Sequence, residues 1–84
     1  MGALSQLMVE RLTAQYQLET FNSLRYFQRA TFAESVGLTG IARFFRKEAR
    51  GERKHADLVF KYANLRNVAL PISPLTFEDP DLPP

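Results

Sequence analysis

Three residues of this sequence could together bind a metal ion: Glu19, Glu52 and His55. Glu52 and His55 form a Glu-x-x-His pair, and a spacing of three residues places both side chains on one face of a helix. Carboxylates are hard anionic ligands, and imidazole adds a nitrogen ligand that suits iron or zinc. The pair alone is a weak signal, because the neighbouring Arg53 and Lys54 are typical of a solvated helical face.

The spacing of apolar residues predicts two helices that would carry these three side chains. Residues 4–35 contain neither Gly nor Pro, and residues 40–66 continue the helical spacing after a break at 35–40, SVGLTG. In that break, Gly37 suits the end of the first helix and Thr39 suits the N-cap of the second. A short connection makes the two helices antiparallel neighbours. The sequence therefore predicts an all-α fold, a long antiparallel two-helix hairpin over residues 1–67.

The three candidate ligands lie at matching distances from the turn. Glu19 precedes Gly37 by 18 residues, whereas Glu52 and His55 follow it by 15 and 18 residues. In antiparallel helices these positions reach about the same height, so one hairpin presents two carboxylates and an imidazole to a single point. A carboxylate on an apolar face must be neutral, paired or bound to a metal. The matching heights favour a metal site over a solvated charged stripe.

The hairpin carries more apolar surface than two helices can bury between them. Hydrophobic residues make up 45% of the 84 residues and aromatic residues 12%. A homodimer in which two hairpins form a four-helix bundle would bury the excess and bring together four Glu and two His, the ligand set of carboxylate-bridged di-iron bundles. Each helix has a second apolar row, formed by Leu18, Phe21 and Phe32 on the first and by Phe44, Leu58 and Leu65 on the second.

Over residues 4–67 the sequence resembles the first half of a ferritin, helices A and B with the turn between them. The resemblance rests on Glu19, on Tyr26, on the turn sequence GLTGIARFF, and on the Glu-x-x-His-Ala motif that runs from Glu52 to Ala56. It implies a ferritin-like four-helix bundle that oxidises Fe(II) to Fe(III) at a di-iron site between two subunits. The electron acceptor would be O₂ or peroxide, and the product would feed iron storage or detoxification.

The resemblance also implies a role for each site residue. Glu52 would bridge the two irons of a dimer, Glu19 and His55 would be terminal ligands, and Tyr26 would be a hydrogen-bonding or electron-donating group beside them. Arg53 stands where bacterioferritins place their haem-ligating Met, so we expect no haem. A full ferritin continues into two further helices, so the chain resembles either a natural half-ferritin or a piece of a longer one.

Residues 68–84 form the second predicted unit, an extended tail, because all five prolines lie in this part of the chain. The tail would wrap the dimer, help it to form a larger ring or cage, or dock it in a compartment. The chain has no cysteine, which excludes disulfides and thiolate metal sites. It also lacks a run of about 18 apolar residues and the features of a signal peptide, so we expect a soluble cytoplasmic protein with no membrane partner.

Two other functions remain open from the residues alone. The same ligands could hold zinc or another divalent ion structurally, and a non-catalytic helical dimer could bind an acidic partner through a row of cations on the second helix. A net charge of +2 is too small to predict binding of nucleic acid, and we expect the row to be a solvated face. Its members are Arg43, Arg46, Lys47, Arg50, Arg53 and Lys54.

Overall fold

A computed structural model describes residues 5–74 of the protein, which form two antiparallel α-helices and a short segment after them. Helix α1 spans Gln6–Ser35 and helix α2 spans Thr39–Leu65, each within two residues of the bounds predicted from the sequence. No strand occurs between residues 5 and 74. The predicted all-α hairpin is therefore confirmed, whereas residues 1–4 and 75–84 lie outside the described part of the chain.

Helix α1 has a side-chain cap at its start and a glycine turn at its end. The Ser5 hydroxyl accepts a hydrogen bond from the Met8 backbone N–H at 3.1 Å, which satisfies one of the free donors of the first turn. At the other end Gly37 adopts a φ of +82°, a left-handed conformation that glycine reaches without a steric penalty. The Leu38 N–H then bonds to the Ala33 carbonyl at 2.8 Å in a Schellman turn.

The prediction that Thr39 caps the second helix is wrong. Helix α2 begins at Thr39 itself, and its N-cap is Leu38, which makes no side-chain capping hydrogen bond. The connection is so short that Leu38 serves both helices. Its N–H completes the Schellman turn of α1, and its carbonyl accepts the first backbone hydrogen bond of α2. The Leu38 carbonyl accepts from the Ala42 N–H at 2.9 Å.

The two helices contact each other through small side chains. The buried residues of α2 are four alanines at intervals of seven, and those of α1 are one threonine and two alanines. This spacing is typical of coiled-coil packing, and such small residues let the helix axes approach closely. The apolar Ile41 is 48% exposed, because the contact passes through its neighbour Ala42. The residues of this alanine stripe on α2 are Ala42, Ala49, Ala56 and Ala63.

The hairpin is a single layer of helices. Its Cα trace measures 53 × 22 × 13 Å, so it is two helices wide and one helix thick. No large side chain of the described residues is fully buried, and many large apolar side chains are at least one third exposed. Soluble monomers rarely leave that much apolar surface in contact with water. This agrees with the expected excess of apolar surface, while the dimer itself stays a prediction.

After α2 the chain turns back toward α1. Asn67 has a φ of 56°, and the Val68 N–H bonds to the Ala63 carbonyl at 3.0 Å in a second Schellman turn. The Ser73 N–H donates to the Gln17 side-chain carbonyl at 3.1 Å, so the segment crosses to the first helix. Residues 68–74 contain no helix or strand. The extended tail over residues 68–84 stays a prediction. Neither helix of the described part has the length and hydropathy needed to cross a membrane.

Candidate metal centre

The fold brings Glu19, Glu52 and His55 together at one point of the hairpin. One potential ligand atom of each residue lies within 4.8 Å of the other two. The Nδ1 atom of His55 lies 3.1 Å from Oε1 of Glu52 and 3.5 Å from Oε2 of Glu19. Because Glu19 belongs to α1 and the other two residues to α2, the cluster depends on how the helices are aligned along their axes.

A hydrogen bond between the helices sets that alignment close to the cluster. The Ser23 hydroxyl donates to the Ala49 carbonyl at 2.9 Å. Ser23 lies one turn after Glu19, and Ala49 lies about one turn before Glu52, so the bond places the two carboxylates at the same height. Sequence reasoning missed Ser23. The available signal was its small side chain, seven residues before the buried Ala30.

The two carboxylates are largely shielded from water. The Glu19 side chain is 14% exposed and that of Glu52 is 18% exposed, whereas the His55 side chain is 57% exposed. Within residues 5–74 neither carboxylate forms an ion pair with a lysine or an arginine. Shielded negative charges need a cation or a proton nearby. Of residues 5–74, His55 places its imidazole within 3.5 Å of an oxygen of each carboxylate.

Apolar side chains flank the carboxylates along each helix. Leu12 and Tyr26 lie one heptad before and after Glu19, and Phe45 and Val59 occupy the same positions around Glu52. These four residues and the two carboxylates are half-buried, on the same side of the alanine stripe. We call this surface the metal face; it is formed by Leu12, Glu19, Tyr26, Phe45, Glu52 and Val59. Its apolar surround makes uncompensated charge at the centre costly, which favours binding of a cation there.

Tyr26 lies on the metal face but apart from the three candidate ligands. It comes seven residues after Glu19, a rise of about 10 Å along the helix. Its ring stacks on that of Phe45, with the centroids 6.1 Å apart and the planes at 25°. Within the described residues no hydrogen bond joins Tyr26 to Glu19, Glu52 or His55. Its expected role beside the metals therefore stays a prediction.

The donor set fits a divalent transition-metal ion. Two carboxylates supply hard oxygen ligands and charge, and an imidazole nitrogen is a ligand common to iron, zinc and copper sites. The Nδ1 atom of His55, which faces both carboxylates, would bind the cation together with them. Three donors do not complete the coordination of such an ion, so one hairpin would leave positions free.

Comparison with known proteins places the chain in a family. A family model described as a ferritin-like domain matches residues 9–84. The chain is 32% identical over 79 residues to "Ferritin-3, chloroplastic" of Vigna unguiculata, which covers 86% of this chain and 29% of that protein. It is 34% identical over 68 residues to "Ferritin, chloroplastic" of Phaseolus vulgaris, covering 79% and 25%. The chain thus spans less than a third of the length of these curated relatives. No solved structure shows a significant match to it.

Proposed function

Because the chain belongs to the ferritin-like family, we propose that it binds iron and oxidises Fe(II) to Fe(III) at a di-iron site shared by two copies. The observation that carries the proposal is the convergence of Glu19, Glu52 and His55, whose ligand atoms lie within 4.8 Å of one another. The family match agrees with the cluster, since the matched residues 9–84 include all three candidate ligands.

A second hairpin is needed to complete the site. Facing metal faces related by a two-fold axis would bring four carboxylates and two imidazoles together, which is the ligand set of di-iron carboxylate bundles. The half-buried apolar residues of the metal face support this arrangement, because a second copy would cover them. Two divalent ions per dimer would offset the four negative charges. The dimer would be the smallest active unit, within a larger ring or cage if one forms.

Each residue has a distinct task in the proposed reaction. Glu52 would bridge the two substrate irons, while Glu19 and His55 would each bind one of them. Anionic ligands stabilise Fe(III) more than Fe(II), because the Coulomb attraction grows with the charge of the ion. The site would thereby favour transfer of electrons from iron to O₂ or peroxide. Tyr26 would act beside the metals as a hydrogen-bonding or electron-donating group, and no haem is part of the proposal.

The test is an oxidation assay with a matched control. Two equivalents of Fe(II) per dimer are added in air and the near-ultraviolet absorbance is followed over time. We expect protein-dependent oxidation in the wild type and its loss in Glu52→Gln, with little change in Glu48→Gln. Glu48 is a half-buried carboxylate of α2 one turn away, outside the cluster. Equal rates in all three proteins would refute the proposal.

A structural role for the metal is the second candidate, because the same three ligands would also suit zinc. The two functions differ in one measurement. A structural site would raise the melting temperature on addition of Zn²⁺ or Fe(II) without accelerating oxidation of Fe(II). The metal content of the purified protein and its mass in solution would complete the comparison. Storage of the oxidised iron and a cytoplasmic location stay predictions.

A further inference from the structure

The side of the hairpin opposite the metal face holds a groove between the two helices. Arg46 and Arg53 of α2 lie across the alanine stripe from Phe45 and Glu52, and they face α1 from that side. A cavity of about 330 Å³ lies there. Three arginines of α2 form one wall and two apolar residues of α1 form the other: Arg46, Arg50 and Arg53 face Leu24 and Phe27.

The groove continues along the hairpin. A second cavity of about 430 Å³ shares Ser23, Leu24 and Arg53 with the first and extends to Asp57. From Arg46 to Asp57 the helix rises about 16 Å, which gives the length of the groove. We call these two adjoining cavities the arginine groove. This length suits an extended chain better than a compact ligand.

The arginine groove has unbalanced positive charge. Arg46, Arg50 and Arg53 follow one another at intervals of one turn and are exposed, and no acidic residue between 5 and 74 lines the cavity that they share. Within the described part of the chain none of the three forms an ion pair. Asp57 lies at the far end, where it pairs with Lys61 at 3.7 Å. Like charges one turn apart repel, so a ligand with several regularly spaced anions would relieve that repulsion.

The opposite wall adds a second requirement for the ligand. Leu24 is 45% exposed and Phe27 is 55% exposed, so an apolar surface and an aromatic ring face the guanidinium groups across the groove. A single-stranded nucleic acid has both of the chemical features that these walls suit, a phosphate on every nucleotide and an unpaired flat base. We propose that the arginine groove binds single-stranded nucleic acid, with phosphates on the arginines and bases against Leu24 and Phe27.

This site is separate from the proposed iron site. The two surfaces lie on opposite sides of the alanine stripe, so a second hairpin that covers the metal face leaves the arginine groove accessible. The small net charge of the whole chain predicted no such partner, because it averages the cations of α2 with acids elsewhere in the sequence. The structure shows where the cations concentrate and what they face. Binding of single-stranded nucleic acid can therefore be tested independently of iron oxidation.

Binding is measured by fluorescence anisotropy with a labelled ten-nucleotide oligothymidylate. Contact of three phosphates predicts a slope of about −2 for the logarithm of the association constant against the logarithm of salt concentration. Arg50→Gln should reduce the slope to about −1.4, since one phosphate contact is lost. Phe27→Ala should weaken binding about fivefold or more without changing the slope, because it removes a base contact.

The controls separate this site from general attraction to a basic protein. Phe44 is also 55% exposed but lies outside the arginine groove, so Phe44→Ala should bind like the wild type. Circular dichroism checks that every variant keeps its helices, and Glu52→Gln should bind normally. The proposal is overturned if no binding occurs at 50 mM salt, if Phe27→Ala has no effect, or if polyglutamate or a duplex of equal length binds as tightly as the single strand.

Discussion

Replacement of Glu52 by glutamine should stabilise the metal-free protein and at the same time abolish its stabilisation by metal. The ligand oxygens of Glu19 and Glu52 lie within 4.8 Å of each other, and both side chains are less than one fifth exposed. Two unit charges at that separation repel by about 1 kcal/mol at the dielectric constant of water and by about 3 kcal/mol at an effective value of 20. Since water still reaches both side chains, we expect a gain of about 1 kcal/mol in the free energy of unfolding.

The assay is thermal unfolding at pH 8, above the range in which histidines usually titrate, at one fixed protein concentration. Without metal, a gain of about 1 kcal/mol corresponds to a rise of about 4–8 °C in the melting temperature of a domain of this size. With a divalent ion at 100 times its dissociation constant, the wild type gains about 2.7 kcal/mol and the variant does not. The order of the two melting temperatures therefore reverses on addition of metal.

The reversal distinguishes a metal site from a structural hydrogen bond. If Glu52 served mainly to hold His55, at 3.1 Å, the variant would be the less stable protein with and without metal. That result would refute the electrostatic reasoning. Glu48→Gln provides the control, because Glu48 lies on the same helix outside the cluster and should show no reversal.

Three further predictions concern the fold and the dimer. Gly51→Ala should stabilise the protein by about 1 kcal/mol in urea unfolding, because Gly51 is inside α2 and a Cβ there meets no atom within 4 Å. A loss of stability would indicate that a second copy packs against Gly51. Gly37→Ala should destabilise the protein by about 1 kcal/mol or more, because φ at Gly37 is +82°. Gly40→Ala should not destabilise it, so equal effects at the two positions would contradict the turn geometry. Phe45→Glu on the metal face should lower the mass in solution from that of a dimer to that of a monomer, whereas Leu65→Glu, at a site 80% exposed, should leave the dimer intact. A dimer in both variants would place the interface elsewhere.

The elements of the fold could be predicted from the sequence because the signals are local. Helical spacing of apolar residues without Gly or Pro predicts a long helix, and Gly37 predicts where the first one ends. The position of the site could be predicted in the same way, because the heights of Glu19, Glu52 and His55 along the hairpin follow from counting residues from the turn. The constant rise per residue of a helix and the short connection place the three residues at one height.

The helix contact could not be predicted in detail, because several faces of each helix are apolar. The contact passes through Ala42 and not through the more hydrophobic Ile41, since close approach of two helices selects small side chains over large ones. The capping of α2 was missed because the turn is so short that Leu38 serves both helices. The hydrogen bond from Ser23 to Ala49 could not be predicted either, since it depends on the distance between the helix axes.

The alanine stripe has a consequence for how the protein folds. A pair of helices that meets through methyl groups buries little apolar area of its own, and burial of apolar area is the main source of stability in a domain of this size. Folding and association should then be a single equilibrium that depends on protein concentration. Dilution of the proposed dimer would unfold the helices and take the proposed iron site apart in one step, so an isolated hairpin would not be a stable domain.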